Sequence, residues 1–187
     1  MFQLDELVAR MEAAVQLGRI EAIAYRVKEE LESLIGNEGL QLPDRFYLTR
    51  GDTYTRRLLY RDPRGRYTAV VMTWGPGQHT LLHDHAGIWC VEGVVDGQLE
   101  VAQYDLESEA GEVYYFREMR RVTAGVGSAG SLIPPFEYHA LKNALADRLS
   151  LSLHIYGGEM TSCNVFVPRA DGTYERIERR VTYDDQQ

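Results

Sequence analysis

Five histidines, His79, His83, His85, His139 and His154, are the side chains of this sequence best suited to chemistry. A neutral imidazole is a common metal ligand, and it titrates near neutral pH. In His83-Asp84-His85 the two histidines stand two positions apart. On an extended chain that spacing puts both rings on one face and Asp84 on the other. Two imidazoles on one face make half of a metal site. His139, in PPFEYHALKN, ends a second β-rich stretch behind a Pro-Pro turn and is the natural third ligand. Three histidines do not by themselves choose the ion, since the same set serves catalytic zinc. His79, in Gly-Gln-His-Thr, reads as a loop residue.

Other reactive types recur at strand spacing. Ser152, His154 and Tyr156 alternate, so all three share a face and can form a relay in which serine orients histidine and histidine orients tyrosine. Tyr54 and Arg56 are likewise same-face neighbours, and an inward arginine can grip a carboxylate through a bidentate, charge-assisted pair. Trp74 and Met72 are equally suited to lining a pocket and to filling a core. Cys90 and Cys163 are too few for a disulfide framework and read as reduced thiols.

The elements that must position these residues follow from periodicity. From Phe2 to about Leu34 apolar residues recur at helical spacing, with Gly18 between two sets. This predicts two helices within residues 1–36, with Gly36 as the stop, packed on the outside of the main domain. After Pro43 the pattern changes to short β-rich runs, among them Tyr54–Tyr60, Tyr67–Trp74, Trp89–Val95, Gln98–Asp105, Ser131–Pro134 and Ser150–Tyr156. Asp62–Gly65, Asp96-Gly97 and Ala170–Gly172 supply tight reversals. Many strands without intervening helices predict a mainly β sandwich or closed barrel over residues 43–183.

A chain of 187 residues with one such pattern is expected to form a single domain. A net charge of −8 argues against nucleic acid as a partner. No apolar run approaches a membrane span, and the acidic amphipathic start lacks the character of a secretory signal. A cytoplasmic protein, monomeric or weakly self-associating and acting on a small molecule, is the expectation.

The spacing Gly77, five residues, His83-Asp84-His85, four residues, Cys90, six residues, Gly97 resembles the first motif of the cupins, with cysteine where most have a glutamate ligand. Pro134 to His139 followed by Asn143 is similar to the second motif, with Phe136 in place of its glycine. The likeness sharpens to the cysteine dioxygenase family through Tyr54-Thr55-Arg56, Trp74-Gly75-Pro76-Gly77, Cys90 and Ser152-Leu153-His154-Ile155-Tyr156.

That resemblance implies a cupin barrel (a double-stranded β-helix) holding Fe(II) on His83, His85 and His139, with a small thiol and O2 as substrates. It implies that Arg56, Tyr54 and Trp74 bind the thiol, with Arg56 the mark of members that prefer L-cysteine. Tyr156, backed by His154 and Ser152, would position the reactants, and Cys90 would be able to join Tyr156 in a thioether crosslink. An all-histidine set without a carboxylate keeps the full charge of the ion, which suits an anionic thiolate. Gly157-Gly158 stands where animal members carry Ser-Pro-Pro, a departure that bears on substrate choice, and Cys90 is present where many bacterial relatives have glycine, so the sequence mixes features of both groups. The competing readings are a dioxygenase for 3-mercaptopropionate or a mercaptosuccinate-like thiol and, further off, a zinc or manganese isomerase or hydrolase.

Overall fold

The structure, a computed structural model, describes residues 4–184. Phe2, the first apolar residue of the helical pattern, lies outside the described residues. Helix α1 runs over Leu4–Ala14 and α2 over Ile20–Glu32. Leu7, Met11 and Ala14 of the first, and Ile23, Ala24, Val27 and Leu31 of the second, are buried, as a helical apolar stripe requires.

The expected stop at Gly36 is not where the helix ends. The chain continues through a π-turn over Ser33–Asn37, and Glu38 N–H donates to Ser33 O at 3.1 Å. Gly36 packs against Gly127, where a Cβ on Gly127 would sit 2.9 Å from the Gly36 Cα. Reversal waits for Gly39, whose φ is +67°.

Eleven strands follow among the described residues: β1 Thr55–Arg61, β2 Thr68–Trp74, β3 Leu82–His83, β4 Cys90–Asp96, β5 Gln98–Ala110, β6 Val113–Gly125, β7 Ala129–Leu132, β8 His139–Asn143, β9 Ser150–Tyr156, β10 Ser162–Pro168 and β11 Tyr174–Arg180. They form a five-stranded antiparallel sheet, β1-β2-β9-β4-β7, and a ring of pairs, β10-β11-β6-β5-β8-β3, that closes on itself. This is the mainly β, cupin-type barrel with two N-terminal helices that the sequence predicts. Strands β6, β10 and β11 extend beyond the runs singled out by sequence pattern. Most of β11 and much of β6 face solvent and are charged, so their pairing rather than their hydrophobicity defines them.

The five-stranded sheet is buried on both faces, and residue parity assigns each face. Ala69 and Val71 of β2, Val91 of β4, and Leu151, Leu153 and Ile155 of β9 pack with the helices. Val70, Met72, Trp74, Cys90, Val94 and Tyr156 face the barrel interior. Two buried faces explain why these strands read as nearly unbroken apolar runs in sequence. Helix contact is close: a Cβ on Gly93 would lie 2.8 Å from Ile35 Cδ1. The reversal between β4 and β5 needs Gly97, at φ +73°, where a Cβ would meet Ser150 Oγ at 2.3 Å. No helix among the described residues is long and apolar enough to cross a membrane.

Candidate metal centre

Strands β3 and β8 pair through His83 and His139, which are direct cross-strand partners. His85 lies just beyond β3, and one ligand atom from each of the three histidines falls within 4.8 Å of the others. Asp84 points the opposite way, as alternation demands. Its carboxylate accepts from Asn164 N at 2.8 Å and Asn164 Nδ2 at 2.7 Å, which ties the histidine pair to β10.

Hydrogen bonds orient the rings. His83 Nδ1 lies 3.0 Å from Leu81 O, and His139 Nδ1 lies 3.0 Å from Glu137 O. A carbonyl oxygen only accepts, so both Nδ1 atoms carry the proton and both Nε2 lone pairs turn toward the common centre. His85 is braced by Glu137, whose carboxylate accepts from the His85 backbone N–H at 2.8 Å and stands 3.7 Å from Nδ1. Both His85 ring nitrogens and His139 Nε2 are buried without a hydrogen-bond partner. Burial pulls His83 down to about 3 and His85 well below the usual imidazole value. Neutral, preoriented, orphaned ring nitrogens fit a divalent cation.

A cavity of about 30 Å³ adjoins the three histidines and is also lined by Tyr54, Arg56, Met72, His154, Tyr156 and Cys163. Arg56 is only 6 % exposed. Its guanidinium lies 4.6 Å from the Tyr183 ring and 5.6 Å from the Tyr156 ring. Among the described residues the guanidinium makes one hydrogen bond, a long one of 3.4 Å from Nη2 to Met160 O, and Nε and Nη1 have no partner. A buried cation with unspent donors is a site for an anion. Trp74 does not line this cavity. It is fully buried, stacks behind Tyr54 at 4.7 Å and donates its indole N–H to Ser152 Oγ at 2.9 Å. His79 is exposed, as a loop residue would be, and Cys163 is a buried thiol pushed up to about 11 by burial.

The alternating Ser152, His154 and Tyr156 share the interior face, but only the first link of the expected relay is formed. Ser152 Oγ lies 2.8 Å from His154 Nε2. The rings of His154 and Tyr156 stack side by side with centroids 5.9 Å apart. Neighbours two positions apart on one strand point in parallel, so the free edge of His154 reaches across the sheet instead. Its Nδ1 stands 3.5 Å from Glu92 Oε2 and 4.0 Å from Cys90 Sγ. The cross-strand partners are Glu92 with His154 and Cys90 with Tyr156. Burial pushes both the Cys90 thiol and the Tyr156 phenol well above their ordinary values, so both keep their protons at neutral pH.

Two carboxylates in this centre are absent from the sequence reading. Glu137 braces His85. Glu92 projects inward from β4 and places Oε2 3.5 Å from His139 Nε2, although the group of side chains that can hold one ion is the three histidines. The available signal was position. Glu92 stands two residues after Cys90 and Glu137 two before His139, so both alternate onto the face of an assigned site residue. Glu92 and Ser152 also line a larger cavity of about 290 Å³, which Arg120 and Gln103 reach as well.

A barrel of this topology with three inward histidines at its centre is a cupin. The chain belongs to the cysteine dioxygenase family: the family described as cysteine dioxygenase type I matches residues 2–169. It is similar to cysteine dioxygenase type 1 of Danio rerio, 23% identical over 126 residues, which is 62% of this chain and 57% of that protein. The corresponding protein of Rattus norvegicus is 22% identical over 116 residues, 62% of this chain and 56% of its own. The match thus spans little more than half the length of these relatives. Among solved structures, a cupin 2 domain-containing protein from Halorhodospira halophila aligns with TM-score 0.44 and 19% identity over 74% of this chain and 77% of its own.

Proposed function

We propose that this protein is an iron(II)-dependent thiol dioxygenase that converts L-cysteine and dioxygen to cysteine sulfinate. The observation that carries the reading is the sharing of one buried cavity by three converging imidazoles and an arginine with two unspent donors. A substrate fitting that pair has an acid group at one end and a metal-seeking group at the other. A small thiol carboxylate has both.

His83, His85 and His139 would hold the iron, which supplies the oxygen-activating chemistry when bound. The reaction balances without an external reductant: both oxygen atoms go to sulfur, and sulfur gives up all the electrons that dioxygen takes up. Arg56 anchors the carboxylate through its unspent guanidinium donors, fixing which end of the molecule faces the histidines. Tyr156, protonated because it is buried, offers a hydroxyl donor at the cavity wall. Met72 and Tyr54 supply apolar wall and limit water. Cys90 faces Tyr156 and is the partner for the proposed crosslink.

Oxygen-electrode measurements on Fe(II)-loaded protein with a panel of thiols, with products identified by mass spectrometry, test the reading. Cysteine-dependent uptake yielding the sulfinate is expected. Uptake that no thiol stimulates overturns it. Faster turnover of 3-mercaptopropionate moves the substrate to the deaminated thiol without changing the chemistry.

A further inference from the structure

We propose that Tyr183 is a positioning residue for Arg56: its ring holds the guanidinium by the face while its hydroxyl keeps Glu159 occupied, which leaves the edge donors of Arg56 for a substrate carboxylate. The inference rests on the substrate anchor proposed above and names the residue that keeps that anchor open. Arg56 Cζ lies 4.6 Å from the centre of the Tyr183 ring, against 5.6 Å for Tyr156. Tyr183 is only 6 % exposed, so the contact is a dry one. A guanidinium within about 6 Å of an aromatic ring centre is attracted to the ring face, most strongly where water is excluded. The N–H bonds of a guanidinium lie in its own plane, so a ring against the face uses none of them. The stack therefore stabilises a buried cation without consuming Nε or Nη1, which stay unpartnered among the described residues.

Neighbouring carboxylates are diverted from the guanidinium. Glu159 accepts from Arg61 Nε at 2.7 Å and Nη2 at 3.0 Å, and the Tyr183 hydroxyl donates to its Oε1 at 2.8 Å. Hydrogen bonds from Arg61 and then Tyr183 hold the Glu159 carboxyl below its ordinary value, with the Arg56 charge a smaller cause. Asp184 accepts from the Arg56 backbone N–H at 2.6 Å and pairs with Arg50. Residues 181–184 thus fasten the segment after β11 onto β1 at the anchor itself. Val181 of the same segment lines the cavity, and its N–H donates to Thr161 O at 3.0 Å. Tyr183 does not line that cavity, so it acts on the substrate through Arg56.

Anaerobic calorimetry on Fe(II)-loaded native, Tyr183→Leu and Tyr183→Phe protein separates positioning from packing. The probes are L-cysteine and cysteamine, the same aminothiol without the carboxylate. Tyr183→Leu is expected to bind cysteine about tenfold more weakly and cysteamine within about twofold of native. Tyr183→Phe keeps the ring and should restore cysteine affinity to within about threefold of native. In turnover, KM for cysteine should rise in Tyr183→Leu with kcat near the native value. Equal weakening for the two thiols, native cysteine affinity in Tyr183→Leu, or a Phe form as weak as the Leu form overturns the proposal. A crystal structure of the loaded native protein with cysteine needs no variant. It should show the guanidinium on the substrate carboxylate and still against the Tyr183 ring, and a guanidinium swung off the ring overturns the proposal. Native protein that binds cysteine without oxidising it removes the dioxygenase reading and leaves the role of Tyr183 standing. Native protein that binds cysteine no better than cysteamine removes the anchor and this inference with it.

Discussion

Cys90 on β4 and Tyr156 on β9 are direct cross-strand partners on the interior face of the barrel, both buried, 66 positions apart in the chain. Opposite residues in an antiparallel pair bring their Cβ atoms to about 4.5–5.5 Å, within reach of a bond between thiol sulfur and phenol ring. After turnover with Fe(II) and cysteine, intact mass should fall by two hydrogens and a denaturing gel should show a doublet. Cys90→Ala should give a single band at the calculated mass. Unchanged mass in the turned-over native protein removes the crosslink.

His139→Ala should weaken Fe(II) binding by more than the roughly 10–100-fold typical of losing a supporting residue, because a ligand itself is removed. Chelator competition measures this directly. An affinity within tenfold of native would mean that His139 does not hold the ion.

Arg56→Gln removes the buried guanidinium and leaves a shorter, neutral amide. A charge-assisted hydrogen bond is worth roughly 1.5–3 kcal/mol, so kcat/KM for cysteine should fall by about 10–100-fold. Arg56→Lys should rescue little, since an ammonium cannot offer the planar fork. Equal kcat/KM for the native and Gln forms would place the substrate carboxylate elsewhere.

Metal-free protein should lose stability as pH falls. Burial sets His83 at about 3 and His154 at about 4, whereas an unfolded histidine titrates near 6.5. The unfolded chain therefore binds more protons between those values, and stability is full above about 6.5 and drains away toward the folded values. The loss is of the order of several kcal/mol, and His154→Gln should flatten it. Denaturant midpoints across pH 7 to 4 decide, and parallel curves for native and His154→Gln protein would show that His154 is not the source.

Gly157→Ala should destabilise the protein, because a Cβ there would lie 2.2 Å from Trp89 Nε1. Trp89 is itself only 6 % exposed, so it has little room to yield. Overpacking of this kind costs about 1–3 kcal/mol, readable as a lower Tm. A Tm equal to the native value would show that the indole moves aside freely.

The sequence by itself determined which residues have the chemistry and which face of its own strand each takes. Period two in His83-Asp84-His85 and in Ser152, His154 and Tyr156 is local geometry, and the structure keeps it. Helical spacing likewise gave both N-terminal helices, although the chain runs on through Gly36 in a π-turn and reverses only at Gly39. Tertiary structure alone decided what each face meets. Strand pairing set His83 against His139, Cys90 against Tyr156 and Glu92 against His154, and pairing register is a long-range property that no local pattern contains. It also turned His154 toward Glu92 instead of Tyr156 and gave the Trp74 indole to Ser152. Position along a strand fixes a direction, and only the fold supplies the partner at the end of it.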